Sequence, residues 1–239
     1  HFYRFCALAL SCLLLISLLP VTQVLADGDG AIHIKSAEDL RSLAHSCTLD
    51  SWSRGKTVVL DNDIELTDDD ELPIPTFGGT FNGNGHTIRG ITYDHKGSTL
   101  GLFRTLTESA VVEGLCVEGL LEPQGSASQL GLLAGENYGA IRSCSAKGTV
   151  SGQEDVGGLV GVNGETGRIE GSSSQVQISG VTNVGGIAGQ NLGTLDRCIN
   201  TGALNSDPDQ EIPTSVGGVA GLSRGTIQSC SNSGEIGYQ

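Results

Sequence analysis

Apolar residues in this chain come in clusters of two to five, set between Gly, Asn and Ser, and the clusters recur. Four segments align: LGLLAGENYGAIRSCSAKGTV from Leu130, VGGLVGVNGETGRIEGSSSQVQI from Val156, VGGIAGQNLGTLDRCINTGAL from Val184 and VGGVAGLSRGTIQSCSNSGEI from Val216. A divergent copy, LGLFRTLTESAVVEGL, begins at Leu100. The starts at 100, 130, 156, 184 and 216 lie 26 to 32 residues apart, the spacing of one supersecondary unit repeated along an axis. In the third copy the clusters are Val184 to Ala188, Thr194-Leu195 and Ala203-Leu204. Each is too short for a helix, and Val and Ile favour strands. Gly189, Asn191 and Gly193 fall where the chain turns, and Gly and Asn tolerate positive φ best. Three short strands and three turns per repeat predict a triangular coil, with strands pairing in parallel from coil to coil at about 4.8 Å. The expected fold is all-β, a right-handed parallel β-helix (solenoid).

The alignment predicts ladders. Leu133, Leu159, Ile187 and Val219 share one position, and Ile141, Ile169, Leu195 and Ile227 another; both are expected to point inward, with polar neighbours such as Asp196 pointing out. Asn137, Asn163 and Asn191 form a third column, continued by Ser223. It fits equally an amide ladder between coils and a set of left-handed turn residues.

An open solenoid end exposes strand edges and core, so it needs a cover. Ser36-Ala37-Glu38-Asp39 has the form of a helix start, and Leu40, Leu43, Ala44 and Cys47 follow on one stripe. The segment from Ser36 to Cys47 is therefore expected to be a short capping helix, Thr57 to Leu66 a strand pair or bent strand, and FGGTFNGNGHTIRGITYD from Phe77 the first full coil. The organisation expected is a signal peptide over 1–26, an N-terminal cap over 27–75 and a glycine-rich β-helix over 76–239 that continues into further C-terminal domains.

The export signal rests on Arg4, the uncharged Leu-rich run Phe5 to Leu19, Pro20, and Val24-Leu25-Ala26 before Asp27. Cleavage is expected between Ala26 and Asp27. The run is short for a membrane span, so no membrane span is expected after signal removal. A secreted or cell-surface location follows.

Composition fits this picture. Glycine is 36 of 239 residues and aromatics only 4%, so the core is expected to be aliphatic and narrow. The formal net charge of −14 opposes nucleic acid as a partner.

Chemistry is harder to find. Cys144, Cys198 and Cys230 each lie 14 residues after a repeat start, which makes them one structural column of buried thiols. Their spacing matches no metal site. The acidic run Asp61 to Glu71 lacks the spacing of a calcium loop and reads as solvated charge. His86 sits in a turn-rich stretch, and no zinc-peptidase or nucleophile motif occurs. The acidic residues after Gly125, among them Glu136, Glu154, Asp155, Glu165, Glu170 and Asp196, differ in repeat position, so no carboxylate column is expected. Catalytic, cofactor-binding and metal residues are accordingly none, and no cofactor is expected.

The string GGLVG-x-N-x-G-x-I-x-x-C resembles the GLUG motif, which occurs as tandem arrays in bacterial secreted and cell-surface proteins, some accompanying immunoglobulin A-specific metallopeptidases. The match is good at Val184 and Leu130, whereas the second copy carries an insertion near Gly164 and Ser172 in place of Cys. The resemblance implies a non-catalytic repeat protein, stalk-like, adhesin-like or a recognition module, whose partner is an unknown extracellular protein or glycan. Two alternatives stand beside it: the N-terminal β-helix of a larger secreted metallopeptidase, and a β-helix polysaccharide-active enzyme.

Overall fold

A computed structural model describes residues 28, 30–49, 51–67, 73–205 and 214–237. The segment expected to be a signal peptide, with Ala26 and Asp27, lies outside them, as does the stretch 68–72 of the acidic run.

The chain opens with β1 (Ile32–Ile34), helix α1 (Ala37–Ser46), β2 (Thr57–Leu60) and β3 (Ile64–Glu65). Two three-stranded coils follow: β4 (Ile74–Phe77), β5 (Thr80–Asn82) and β6 (Thr87–Tyr93), then β7 (Phe103–Leu106), β8 (Val111–Glu113) and β9 (Cys116–Leu121). Each later coil has four strands. They are β10 (Ser128–Leu130), β11 (Ala134–Asn137), β12 (Ala140–Arg142) and β13 (Ser145–Ser151); β14 (Glu154–Gly157), β15 (Val160–Asn163), β16 (Arg168–Glu170) and β17 (Ser173–Ser179); β18 (Thr182–Gly185), β19 (Ala188–Asn191), β20 (Thr194–Asp196) and β21 (Ile199–Asn200); and β22 (Val216–Gly217), β23 (Ala220–Ser223), β24 (Thr226–Gln228) and β25 (Ser231–Asn232).

Corresponding strands pair in parallel and build four sheets of eight, seven, six and four strands. The eight-stranded sheet, from β1 to β24, is called the long face here. The seven-stranded sheet, from β3 to β25, is the broad face, because β13 and β17 pair over seven residues. The fold is a parallel β-solenoid of about seven turns.

The fourth strand corrects the triangular expectation. The cluster Val184 to Ala188 was expected to be one strand, but the chain breaks after Gly185 and resumes at Ala188. The reason is space. A Cβ on Gly186 would overlap the Gly218 carbonyl and the Asn200 amide, and one on Gly158 would overlap Ser174 Oγ and the Gly186 carbonyl. Only glycine lets the backbone bend this close to the opposite wall.

The turns also differ from expectation. Gly189, Asn191 and Gly193 do not have positive φ. Two other columns hold left-handed residues: Thr99, Gln129, Asp155 and Asn183 at one corner, and Gly114, Ser143, Gly171, Arg197 and Ser229 at another. Gly189 is required for room instead, since a Cβ there would meet the Asp155–Val156 backbone.

In both aliphatic columns Leu133, Leu159, Ile187, Ile141, Ile169 and Leu195 point inward and are fully buried, whereas in the last described coil Val219 is only partly buried and Ile227 is 41% exposed. Each such side chain contributes about 1.5–3 kcal/mol on burial. The amino-terminal coils use aromatics: Phe77, Phe81 and Phe103 pack with ring centroids 5.4–6.1 Å apart. Helix α1 packs against β1 and β4, burying Leu40, Leu43 and Ala44 at the amino-terminal end of the core. Its N-cap Ser36 accepts from the Asp39 N–H, and the Asp39 carboxylate accepts from Ser36 Oγ and the Lys35 N–H.

Candidate functional site

The Cys column lies on the inner side of the corner between the long and broad faces. Cys144 and Cys198 are buried, whereas Cys230, in the last described coil, is half-exposed. Each member accepts or donates in the same way: Ser172 Oγ accepts from the Cys144 N–H, and Cys230 Sγ accepts from the Cys198 N–H at 3.3 Å. The Cys144 thiol donates to the Arg142 carbonyl and the Cys198 thiol to the Ile169 carbonyl. Burial pushes the Cys144 and Cys198 thiols up to about 12. All five described cysteines are free. These are not nucleophiles, because the thiolate that would react is the form burial disfavours.

The Asn column is an amide ladder. Asn137 Nδ2 donates to Asn163 Oδ1 at 2.8 Å, Asn163 Nδ2 to Asn191 Oδ1 at 2.8 Å, and Asn191 Nδ2 to Ser223 Oγ at 3.0 Å. The three asparagines are fully buried, and none has positive φ. A second ladder escaped the sequence reading: Asn200 Nδ2 donates to Asn232 Oδ1 at 2.7 Å, and each side chain also bonds the backbone two residues on. Only two coils carry it, with Ser174 at the same position in the preceding one, so the alignment held too few copies to show it.

Carboxylates do share a column on the long face, contrary to expectation. Strand register places Glu113, Arg142, Glu170, Asp196 and Gln228 side by side. Glu170 and Asp196 each follow a member of the Ile141, Ile169 and Leu195 column, so the repeat alignment already held this pairing, and only a count from the repeat starts, shifted by the insertion near Gly164, separates them. Glu170 is bonded by Arg168 at 2.7 Å and lies 3.5 Å from Arg142. The Arg168 guanidinium foremost, with Arg142, holds the Glu170 carboxyl below its usual range. Asp196, expected outside, is nearly buried and pairs with Arg197. This is a charge-paired surface: a general acid would need a carboxyl with a raised pKa, and here the arginines act in the opposite sense.

The histidines sit near the cap. His86 Nδ1 lies 3.2 Å from Asp63, which also accepts from the Thr87 N–H and Arg89. His33 contacts Asp61 at 2.7 Å and His95 contacts Asp94. Among the described residues no group of three or more His, Cys, Asp or Glu is placed to hold a metal ion.

The broad face is different in character. Its outward positions on β13 and β17 are Ser145, Lys147, Thr149 and Ser151, paired in register with Ser173, Gln175, Gln177 and Ser179. Lys147 is the single charge among these eight, and its neighbour on β9 is Glu118. Leu120 on β9 and Ile199 on β21, 40% and 48% exposed, flank them on either side.

Comparison with known proteins agrees with the repeat geometry. The model of the GLUG motif matches residues 126–151 and 152–179, the coils of β10–β13 and β14–β17. A protein named Halomucin, from Haloquadratum walsbyi, is 36% identical over 118 residues. That match covers 48% of this chain and 1% of Halomucin, so this chain spans a small fraction of that protein. In fold, the chain is similar to a solved structure of a candidate immunoglobulin A1 protease from Bacteroides ovatus, with a TM-score of 0.67 and 19% identity over 88% of this chain and 68% of that one. The GLUG motif thus occupies two successive coils of this chain, and the fold around them is similar to that of the Bacteroides ovatus protein along most of the solenoid.

Proposed function

We propose that the chain is a secreted or surface-displayed repeat module that presents long, rigid side-chain faces for recognition and has no catalytic role of its own. The observation that carries this reading is the use of every repeat for stacking. The residues that recur from coil to coil, namely the Gly pairs, the aliphatic columns, the Asn ladder and the Cys column, are spent on the inside of the solenoid. What is left to vary is the outer surface, whose carboxylate column is paired with arginines. Seven turns at about 4.8 Å give a rod of roughly 30–35 Å. No helix among the described residues is long and apolar enough to cross a membrane. The similarity to Halomucin fits such a module.

The fold shared with the Bacteroides ovatus protein supports a second reading, in which these coils form the front of a secreted peptidase. One experiment tests the module reading. The chain is expressed in an exporting host, and the released product is sequenced from its amino terminus and incubated with immunoglobulin A1 and with acidic polysaccharides. A mature protein starting at Asp27 that leaves both substrates intact is expected. Retention of the apolar segment, or cleavage of either substrate, overturns the proposal.

A further inference from the structure

We infer that the outer surface of the broad face, centred on β13 and β17, is a binding surface for an uncharged polysaccharide. The inference rests on the recognition-module reading above and gives that module a place and a ligand class. Three observations carry it.

The first is the contrast in charge between faces. On the long face, the outward positions of β12, β16 and β20 are Ala140, Arg142, Arg168, Glu170, Thr194 and Asp196, four of six ionisable. On β13 and β17 of the broad face one of eight is, and that one, Lys147, lies beside Glu118, which in turn pairs with Arg89. With its one charge set beside an opposite charge, the surface of β13 and β17 presents little net field to select an ionic partner, and it is complementary to a neutral one.

The second is translational order. Thr149 and Gln177 are direct partners, as are Lys147 and Gln175, and Ser151 and Ser179 are linked through their hydroxyls at 3.0 Å. Hydroxyls and amides, which both donate and accept, thus recur in register at the coil spacing of about 4.8 Å. Strands fixed by seven consecutive pairings hold their backbone positions rigidly, so the spacing of these groups is set before binding. A ligand that matches a translational array of neutral donors and acceptors is itself a repeating, hydroxylated polymer.

The third is the placing of exposed aliphatic groups. Leu120 and Ile199 are two of five large apolar residues that are exposed among the described residues, and both lie on this face, on the strands flanking β13 and β17. They offer flat apolar contact for the C–H faces of sugar rings. A protein partner would instead be anchored by buried aromatic or Arg side chains, and those outward positions hold none. A nucleic acid would be repelled by the net charge.

The test is affinity electrophoresis of the purified full chain in gels containing a neutral β-glucan, a mannan or a dextran, and in parallel gels containing alginate or polygalacturonate. Retardation by at least one neutral polymer is expected. Gln177→Arg, at an exposed position of the face, should weaken it about tenfold. Thr194→Arg, which adds the same charge on the long face, should leave it unchanged. Thermal melting verifies that both variants fold, and Gln177→Glu replaces Gln177→Arg should the latter fail to fold. No retardation by any of the three neutral polymers, retardation by the anionic ones alone, or equal binding by the position-177 variant overturns the inference. Amino-terminal sequencing of the exported product is independent of this result, so failure of glycan binding is distinguishable from failure of the secretion reading.

Discussion

Asn137 and Asn163 lie in successive coils, both fully buried, and the side-chain amide of the first donates to the side-chain carbonyl of the second at 2.8 Å. Asn163 passes the same bond on to Asn191 and also donates to the Gly167 carbonyl. A ladder of this kind satisfies polar groups inside the solenoid and fixes the register of each coil on the next. In low dielectric such bonds are strong when complete and costly when broken.

Asn163→Leu is therefore expected to destabilise by about 2–4 kcal/mol, because it leaves the Asn137 donor and the Asn191 acceptor buried without their partner. Urea unfolding measures it. A loss under half a kcal/mol would mean that water or the backbone replaces the ladder.

Leu195→Asp places an unpaired charge among the buried aliphatic residues and should abolish cooperative folding. Its neighbour Asp196 is also nearly buried, but it pairs with Arg197, which is 64% exposed. Asp196→Ala should cost no more than about 1 kcal/mol, since the arginine left behind is solvated. Thermal unfolding of the two variants decides it, and equal effects would contradict the register of β20.

Gly158→Ala should cost at least 1–3 kcal/mol, as is usual of overpacking, because the added methyl overlaps both Ser174 Oγ and the Gly186 backbone. The neighbouring wall is backbone and cannot turn aside. A neutral result in urea would show that the coil can widen at this corner.

The thiols should divide by coil. Cys144 and Cys198 are buried, with pKa values near 12, and should resist alkylation at pH 8 until the protein unfolds. Cys230 and Cys116 are half-exposed and should react in the native state. Mass spectrometry of the alkylated digest reads all four, and a Cys198–Cys230 crosslink in a non-reduced digest would contradict the free-thiol column.

Asp63 gives a pH dependence of known sign. The Thr87 N–H, then Arg89 and His86, hold its pKa at about 2 against an ordinary 3.8. A folded pKa below the unfolded one means the stabilisation is complete above about pH 4 and is lost as pH falls from there towards 2. Asp63→Asn should flatten the acid limb of the stability curve in that window and leave the region above pH 5 parallel to wild type. Identical acid limbs would show that Asp63 does not contribute.

The sequence by itself determined the repeat, the parallel stacking, the inward aliphatic columns and the capping helix, because each depends on local patterning. A side chain's position in a solenoid repeats with the repeat, so aligning Leu130, Val156, Val184 and Val216 aligned the cores of four coils at once. The helix was legible because Ser36 and the stripe Leu40, Leu43, Ala44 and Cys47 act within about three turns of chain. Three things only the tertiary structure decided. Gly158 and Gly186 split one apolar cluster into two strands because of how close the opposite wall comes, a distance absent from any local pattern. The choice between amide ladder and left-handed turn at Asn163 depended on the spacing of coils, which brings one side chain's donor onto the next one's acceptor. Glu113, in the divergent copy, joins the column of Arg142, Glu170 and Asp196 because strand pairing, and not residue count, sets which positions meet, and loops of unequal length between strands carry no cost in that pairing. The outer faces, on which the proposed glycan surface lies, are built from such meetings between coils, so they came into view only once the register was known.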